Sequence, residues 1–165
     1  MTPARLPNYT QISDWAPLFA LPNVTFINLQ SSDFTVDLAA IHKELGVTVH
    51  NFDDLDHYDN LDDVTALSAA LDIVVSVATA ALTITAGVGT PTKLVTWRQS
   101  SWNNILFNPV GPSVDVFERN TWEPWDSVFR SIADGILDRM QAMWAEADPY
   151  LYRVNPPLYN LANKR

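Results

Sequence analysis

Cysteine is absent from the 165 residues, which excludes disulfides, thiolate metal sites and a cysteine nucleophile. Basic residues are scarce: 10 Lys and Arg stand against 19 Asp and Glu, a formal net charge of −9. That balance argues against nucleic-acid binding, which calls for a basic patch. Glycine is sparse too, and neither a GxGxxG fingerprint nor a Walker A loop occurs. Long apolar runs are missing apart from the 17 uncharged residues Ile73 to Gly89, at the lower limit for a membrane span. Its first part is β-branched, its second rich in Ala and Thr, and glycines close it. A buried strand running into a buried helix is expected there, and no membrane span. The opening MTPARLPNYTQISDW has no apolar core of the signal-peptide type, so a cytoplasmic location is expected.

What is present is a globular composition with 47% apolar residues, enough for one domain with its own core. Helices are expected at Ile12 to Ala20 (Ser13 as N-cap), Asp37 to Leu45 (closed by Gly46), Asp62 to Leu71 and Thr79 to Val88. Strands are expected at Thr25 to Gln30, Val47 to Phe52, Asp72 to Val77, Thr92 to Trp97 and Val114 to Glu118. Trp125, Val128, Phe129, Ile132, Ile136, Met140 and Met143 follow the three-four spacing of one apolar helix face, with Thr121 as candidate N-cap and Pro124 in the first turn. The tail, residues 148–165, is expected to lie extended over the surface. Strands alternating with helices predict an α/β fold: a Rossmann-like three-layer α/β/α domain over residues 1–147, with a mainly parallel sheet of about five strands and a long C-terminal helix. Ligands of such sheets bind at the carboxyl ends of the strands.

Those ends carry the candidate site residues. A strand ending at Ser76-Val77 turns at Ala78 and enters a helix at Thr79 and Ala80. Helix N-termini offer free N–H groups and a positive dipole end to a phosphate. The Thr79 hydroxyl either adds a donor or simply caps the helix. The loop WRQSSWNNILFNPVGPS is dense in Trp, Asn, Gln and Arg: aromatic faces and amides suit a sugar or a base, and Arg98 a phosphate. The alternative is a loop that packs Trp97, Trp102 and Phe107 into the core. The acidic stretch holding Asp53, Asp54, Asp56, Asp59, Asp62 and Asp63 lacks the EF-hand pattern, and a solvated loop is expected. His42, His50 and His57 form no HxH or HExxH pair, so no metal is predicted.

The segment LDDVTALSAALDIVVSVATAALTITAGVGTPTKLVTWRQSSWNNILF resembles the C-terminal region of heptosyltransferase-like glycosyltransferases. It is most like the version that follows tetratricopeptide repeats in bacterial proteins. The resemblance rests on Leu61-Asp62-Asp63, Ala66-Leu67, Ala69 to Asp72, Val75 to Val77, Thr79-Ala80, Gly89, Pro91, Trp97-Arg98, Ser101, Trp102, Leu106 and Phe107. Upstream, NVTFINLQ and DWAPLFALP extend it, so that it spans Asp14 to Phe129. It implies the second Rossmann-like domain of a GT-B glycosyltransferase, which holds a nucleotide-sugar donor with the diphosphate at the turn Val77 to Ala80. Two positions depart from the family's pattern: Ala78 stands where it has Asp, and Thr83 where it has His. The resemblance also implies that the family's first strand, central between the strands at Thr25 and Asp72, is missing.

Function follows from these residues as an expectation. A donor-binding domain would use Gln30, Ser76, Thr79, Ala80, Arg98 and Trp102 on a nucleotide sugar, with no metal or other cofactor. It would be inactive without an acceptor domain or another chain. The alternative is a non-catalytic interaction or structural module that retains the glycosyltransferase fold. A third reading is a glycan-binding module using Trp97 and Trp102.

Overall fold

The structure, a computed structural model, describes residues 9–97 and 112–147. The chain is α/β with parallel pairing throughout its described strands. A 3-10 turn, Ile12–Trp15, leads into α1 (Ala16–Phe19). Then follow β1 (Phe26–Ile27), α2 (Thr35–Leu45), β2 (Val49–His50), α3 (Leu61–Ala70), β3 (Val74–Ser76), α4 (Ala80–Gly87), β4 (Thr92–Trp97), β5 (Val114–Arg119) and α5 (Trp125–Ala147).

Among the described residues the expected five-stranded sheet is not formed. β1 pairs with β2 in one sheet, and β3, β4 and β5 pair in that order in another. The first two strands are short for a local reason. Asn28 Oδ1 accepts the Gln30 N–H at 3.0 Å, and Asn28 Nδ2 reaches Asn51 Oδ1 at 3.0 Å. Side chains thus take over the backbone bonding just beyond Ile27 and His50. The single ladder bond past the strands is Asn28 N–H to His50 O at 2.8 Å.

In the three-stranded sheet, alternation sorts side chains onto two faces. Val95 of β4 joins the main core with Leu18, Leu21, Trp125, Val128, Phe129, Ile132 and Ile136, while Ile73, Val75, Trp97 and Phe117 pack against that cluster. The apolar stripe of α5 is therefore seated as its spacing predicts, although Met143 is exposed. Phe129 is fully buried and its ring lies 4.4 Å from that of Trp15, centroid to centroid. On the opposite face, Thr92 meets α4. The Thr92 hydroxyl lies 3.1 Å from that of Thr85, which donates to Leu82 O. The Thr90 hydroxyl donates to Ser68 O at 2.8 Å and ties α3 to the same layer.

Two helix starts differ from expectation. The first turn begins after Gln11, whose N–H is held by Asp14 Oδ2 at 2.7 Å, so Ser13 is no cap. The last helix begins at Trp125, after a turn in which Glu123 clasps the backbone and side-chain N–H of Asn120. Thr121 and Pro124 lie outside it. Gly46 ends α2 as predicted, in the left-handed region with φ 69°, where a glycine avoids the Cβ clash. No helix among the described residues is long and apolar enough to cross a membrane. The extended tail expected for 148–165 lies outside the described residues.

Candidate functional site

The carboxyl end of β3 runs into α4 through Val77 and Ala78. Ser76 is buried, and its hydroxyl donates to Val77 O at 2.8 Å. The Thr79 N–H bonds the same carbonyl at 2.8 Å, closing a tight three-residue turn around Ala78. Thr79 occupies the N-cap position with extended backbone (φ −129°, ψ 179°), yet its side chain makes no cap bond. Its hydroxyl turns back instead, 3.4 Å from Ser76 Oγ and 3.5 Å from Val77 O. Among the described residues, no side chain accepts from the first N–H groups of α4. Val77, Thr79 and Ala80 are exposed. The expected alternative, a threonine that merely caps its helix, is therefore not what the geometry provides. Free N–H groups and the positive end of the helix dipole face outward here.

Ser76, Thr79 and Ala80 lie together on this turn. Gln30 is exposed and lies three residues beyond the end of β1, a strand of the other sheet. Its side-chain amide donates to Ser32 Oγ at 2.9 Å and approaches Asp33 O and Asp37 Oδ2. It forms no hydrogen bond with residues 76–80. Arg98 and Trp102 lie outside the described residues. Trp97, the last residue of β4, packs half-buried against the core.

Three features escape the sequence reading. Asn28 is buried and links the carboxyl ends of β1 and β2 through Asn51, which in turn holds Asp53 Oδ1 at 3.0 Å. The signal was an amide inside the apolar run TFINLQ. Arg119 closes β5, buried, with its guanidinium 4.4 Å from the Trp125 ring centroid and Nη1 on Glu123 O at 3.3 Å. Stacking of this kind suits a planar, weakly hydrated cation. His57 presents two buried ring nitrogens without a hydrogen-bond partner, beside the Phe34 ring.

The acidic loop behaves as a solvated turn. Asp56 accepts the N–H groups of Asp59 and Tyr58, and these bonds hold its carboxyl below the usual aspartate range. No group of three or more metal-ligating side chains is assembled among the described residues. A shallow depression of about 290 Å³ lies between this loop and α3, lined by Phe52, Asp54, Leu55, Asp63, Ala66 and Leu67. It is acidic and apolar, and unsuited to an anion.

Comparison with known proteins yields no matching family model and no matching solved structure. Protein FlbA of Caulobacter vibrioides is 33% identical over 126 residues, a match covering 75% of this chain. The chain spans 21% of the length of that protein.

Proposed function

We propose that this chain is the nucleotide-sugar donor-binding part of a glycosyltransferase-like protein, with a three-layer Rossmann-like core. The donor diphosphate would rest on the first turn of α4, against the N–H groups of Ala80 and its neighbours and the Thr79 hydroxyl. The observation that carries this reading is the exposed, uncapped start of α4 at the carboxyl end of a parallel strand. That is where α/β sheets hold phosphates. Gln30, Arg98 and Trp102 complete the proposed donor set. Arg98 would neutralise the departing diphosphate and Trp102 would stack on the base or sugar. Transfer would be direct displacement at the anomeric carbon, with the acceptor and its base supplied from elsewhere.

A second reading, a non-catalytic module that keeps the fold, is favoured by the alanine at 78 and the threonine at 83. These remove the two polar groups that the resembled family uses near the donor. One thermal-shift series separates the two readings. Nucleoside diphosphates and nucleotide sugars are tested against the parent chain and Ala80→Pro. Proline fits the first helical position, and the extended Thr79 suits a residue preceding proline. The substitution therefore removes one N–H and leaves α4 intact. A donor binding the folded state raises its stability by about 2.7 kcal/mol at a hundredfold excess over its Kd. The expected result is a shift for one base, diminished in Ala80→Pro. Absence of a shift for every nucleotide, or equal shifts in both proteins, rejects the donor site.

A further inference from the structure

Among the described residues, Trp122 is the most exposed large apolar side chain, at 94%. Tryptophan is normally spent on a core or an interface, and the core cluster does not use this one. It is carried on a pinned turn. The Glu123 N–H bonds Asn120 O at 3.1 Å. The Glu123 carboxylate accepts the Asn120 side-chain N–H at 2.9 Å and the backbone N–H at 3.2 Å. Arg119 Nη1 donates to Glu123 O at 3.3 Å, and its guanidinium lies over Trp125, the first residue of α5. Beside this turn, between β5 and α5, lies a cleft of about 160 Å³, lined by Phe117, Glu118, Glu123, Ser127, Val128 and Ser131. Ser127 and Ser131 stand one helical turn apart and share a face of α5. β5 is two strands from β3, about 10 Å across the sheet, so this cleft is separate from the start of α4.

We propose that this cleft binds one neutral hexopyranose ring, with Trp122 as the aromatic face against it. The volume suits a single ring, since drug-sized ligands fill roughly 300–1,000 Å³. The lining suits a polyol. Carboxylates only accept, so the ligand must bring donors. Ser127 Oγ gives its proton to Pro124 O at 2.8 Å and keeps lone pairs for a ligand hydroxyl. The Ser131 hydroxyl can donate as well as accept. Phe117 and Val128 form the apolar part of the wall. A pyranose presents hydroxyl donors around a face of C–H groups, and such groups suit the negative face of an indole. A phosphate is repelled by the two carboxylates. A small cation needs acceptors alone, and both oxygens of Glu123 are already committed to Asn120. A protein partner would be anchored by a tryptophan ringed by apolar neighbours, whereas Asn120, Thr121 and Glu123 are polar and exposed. The site is independent of nucleotide binding at α4.

Amide and indole NMR of the 165-residue chain provides the test. The probes are methyl β-D-glucopyranoside, methyl β-D-galactopyranoside and methyl α-D-mannopyranoside, with methylammonium chloride as the cationic rival. A small open cleft binds weakly, so the titrations run through the millimolar range. One glycoside is expected to shift the Trp122 indole N–H and the amides of Glu118, Glu123 and Ser127 together and saturably, while those of α2 stay still. Trp122→Ala should weaken that binding about tenfold, read at the Glu118 and Ser127 amides. Its urea midpoint should match the parent's, which separates loss of the site from loss of fold. Ser131→Ala, also at an exposed position, should weaken binding severalfold. The proposal is overturned if no glycoside gives a saturable shift, or if Trp122→Ala binds as tightly as the parent. It is equally overturned if methylammonium moves the same resonances at lower concentration than any glycoside, which would identify a cation surface. A Trp122 indole signal that moves on dilution of the chain alone would also overturn it, by identifying a second copy as the occupant.

Discussion

At the scale of single residues, His57 stands out because neither of its ring nitrogens makes a hydrogen bond. Both nitrogens are buried without partners and the ring meets the edge of Phe34, with centroids 6.1 Å apart. A buried donor or acceptor left unmade costs about 1–3 kcal/mol. Phenylalanine has nearly the same shape and nothing to satisfy. His57→Phe is therefore expected to stabilise the chain by about 1 kcal/mol, read as a higher urea midpoint with an unchanged slope. A lower midpoint would mean that the imidazole is satisfied in solution. Thr79 teaches the opposite lesson. Its position was legible, because a threonine at a strand-to-helix junction is a good N-cap. What its hydroxyl does was not, because the choice between the helix and Val77 O depends on the turn around Ala78.

At the scale of elements, legibility followed the range of the forces involved. β4 lies where expected, at Thr92–Trp97, because a β-branched run between Pro91 and a polar loop leaves little choice. The apolar face of α5 was equally plain, since seven positions at helical spacing specify a surface. The strands at Thr25 and Val47 were overestimated. Their hydrophobic pattern is adequate, but Asn28 and Asn51 divert the backbone after two residues, and a propensity argument gives such local bonds no weight. Sheet membership was not legible from the pattern, because which strands pair is a tertiary matter. Of the candidate site, the turn at Ser76 to Ala80 was legible from its junction, whereas the bonding of the Gln30 amide to Ser32 was not, because it depends on how the chain turns after β1. The α5 face also carries a prediction. Phe129 is fully buried against Trp15, and removing its ring leaves a cavity that short α1 cannot close. Phe129→Ala should cost about 3–5 kcal/mol in urea unfolding. Met143→Ala, on the same stripe but exposed, should cost almost nothing.

At the scale of the whole molecule, the excess of 19 acidic over 10 basic residues sets how stability responds to pH. Two opposing effects operate. Acidification reduces the net charge of −9 and so relieves self-repulsion, which favours the compact state and is screened by salt. Against it stand carboxylates that the fold keeps ionised. Asp56 is held below its ordinary value of 3.8 by the Asp59 and Tyr58 N–H groups, and Glu123 below 4.5 by the side chain and N–H of Asn120. A carboxyl whose value is depressed by folding contributes its stability above the unfolded value. That contribution is lost as pH falls through the folded one. Both groups are exposed, so the effect is modest and its direction is what matters. Urea midpoints should stay level or rise as pH falls from 7 to about 5, then drop below about 4.5. Added salt should flatten the first limb, which is long-range repulsion, and leave the second, which is short-range hydrogen bonding. Asp56→Asn with Glu123→Gln keeps acceptor oxygens in both turns while removing the charges. In that double variant the acid limb should be shallower than in the parent. An acid limb of unchanged steepness would place the acid sensitivity in other groups and detach it from these two turns.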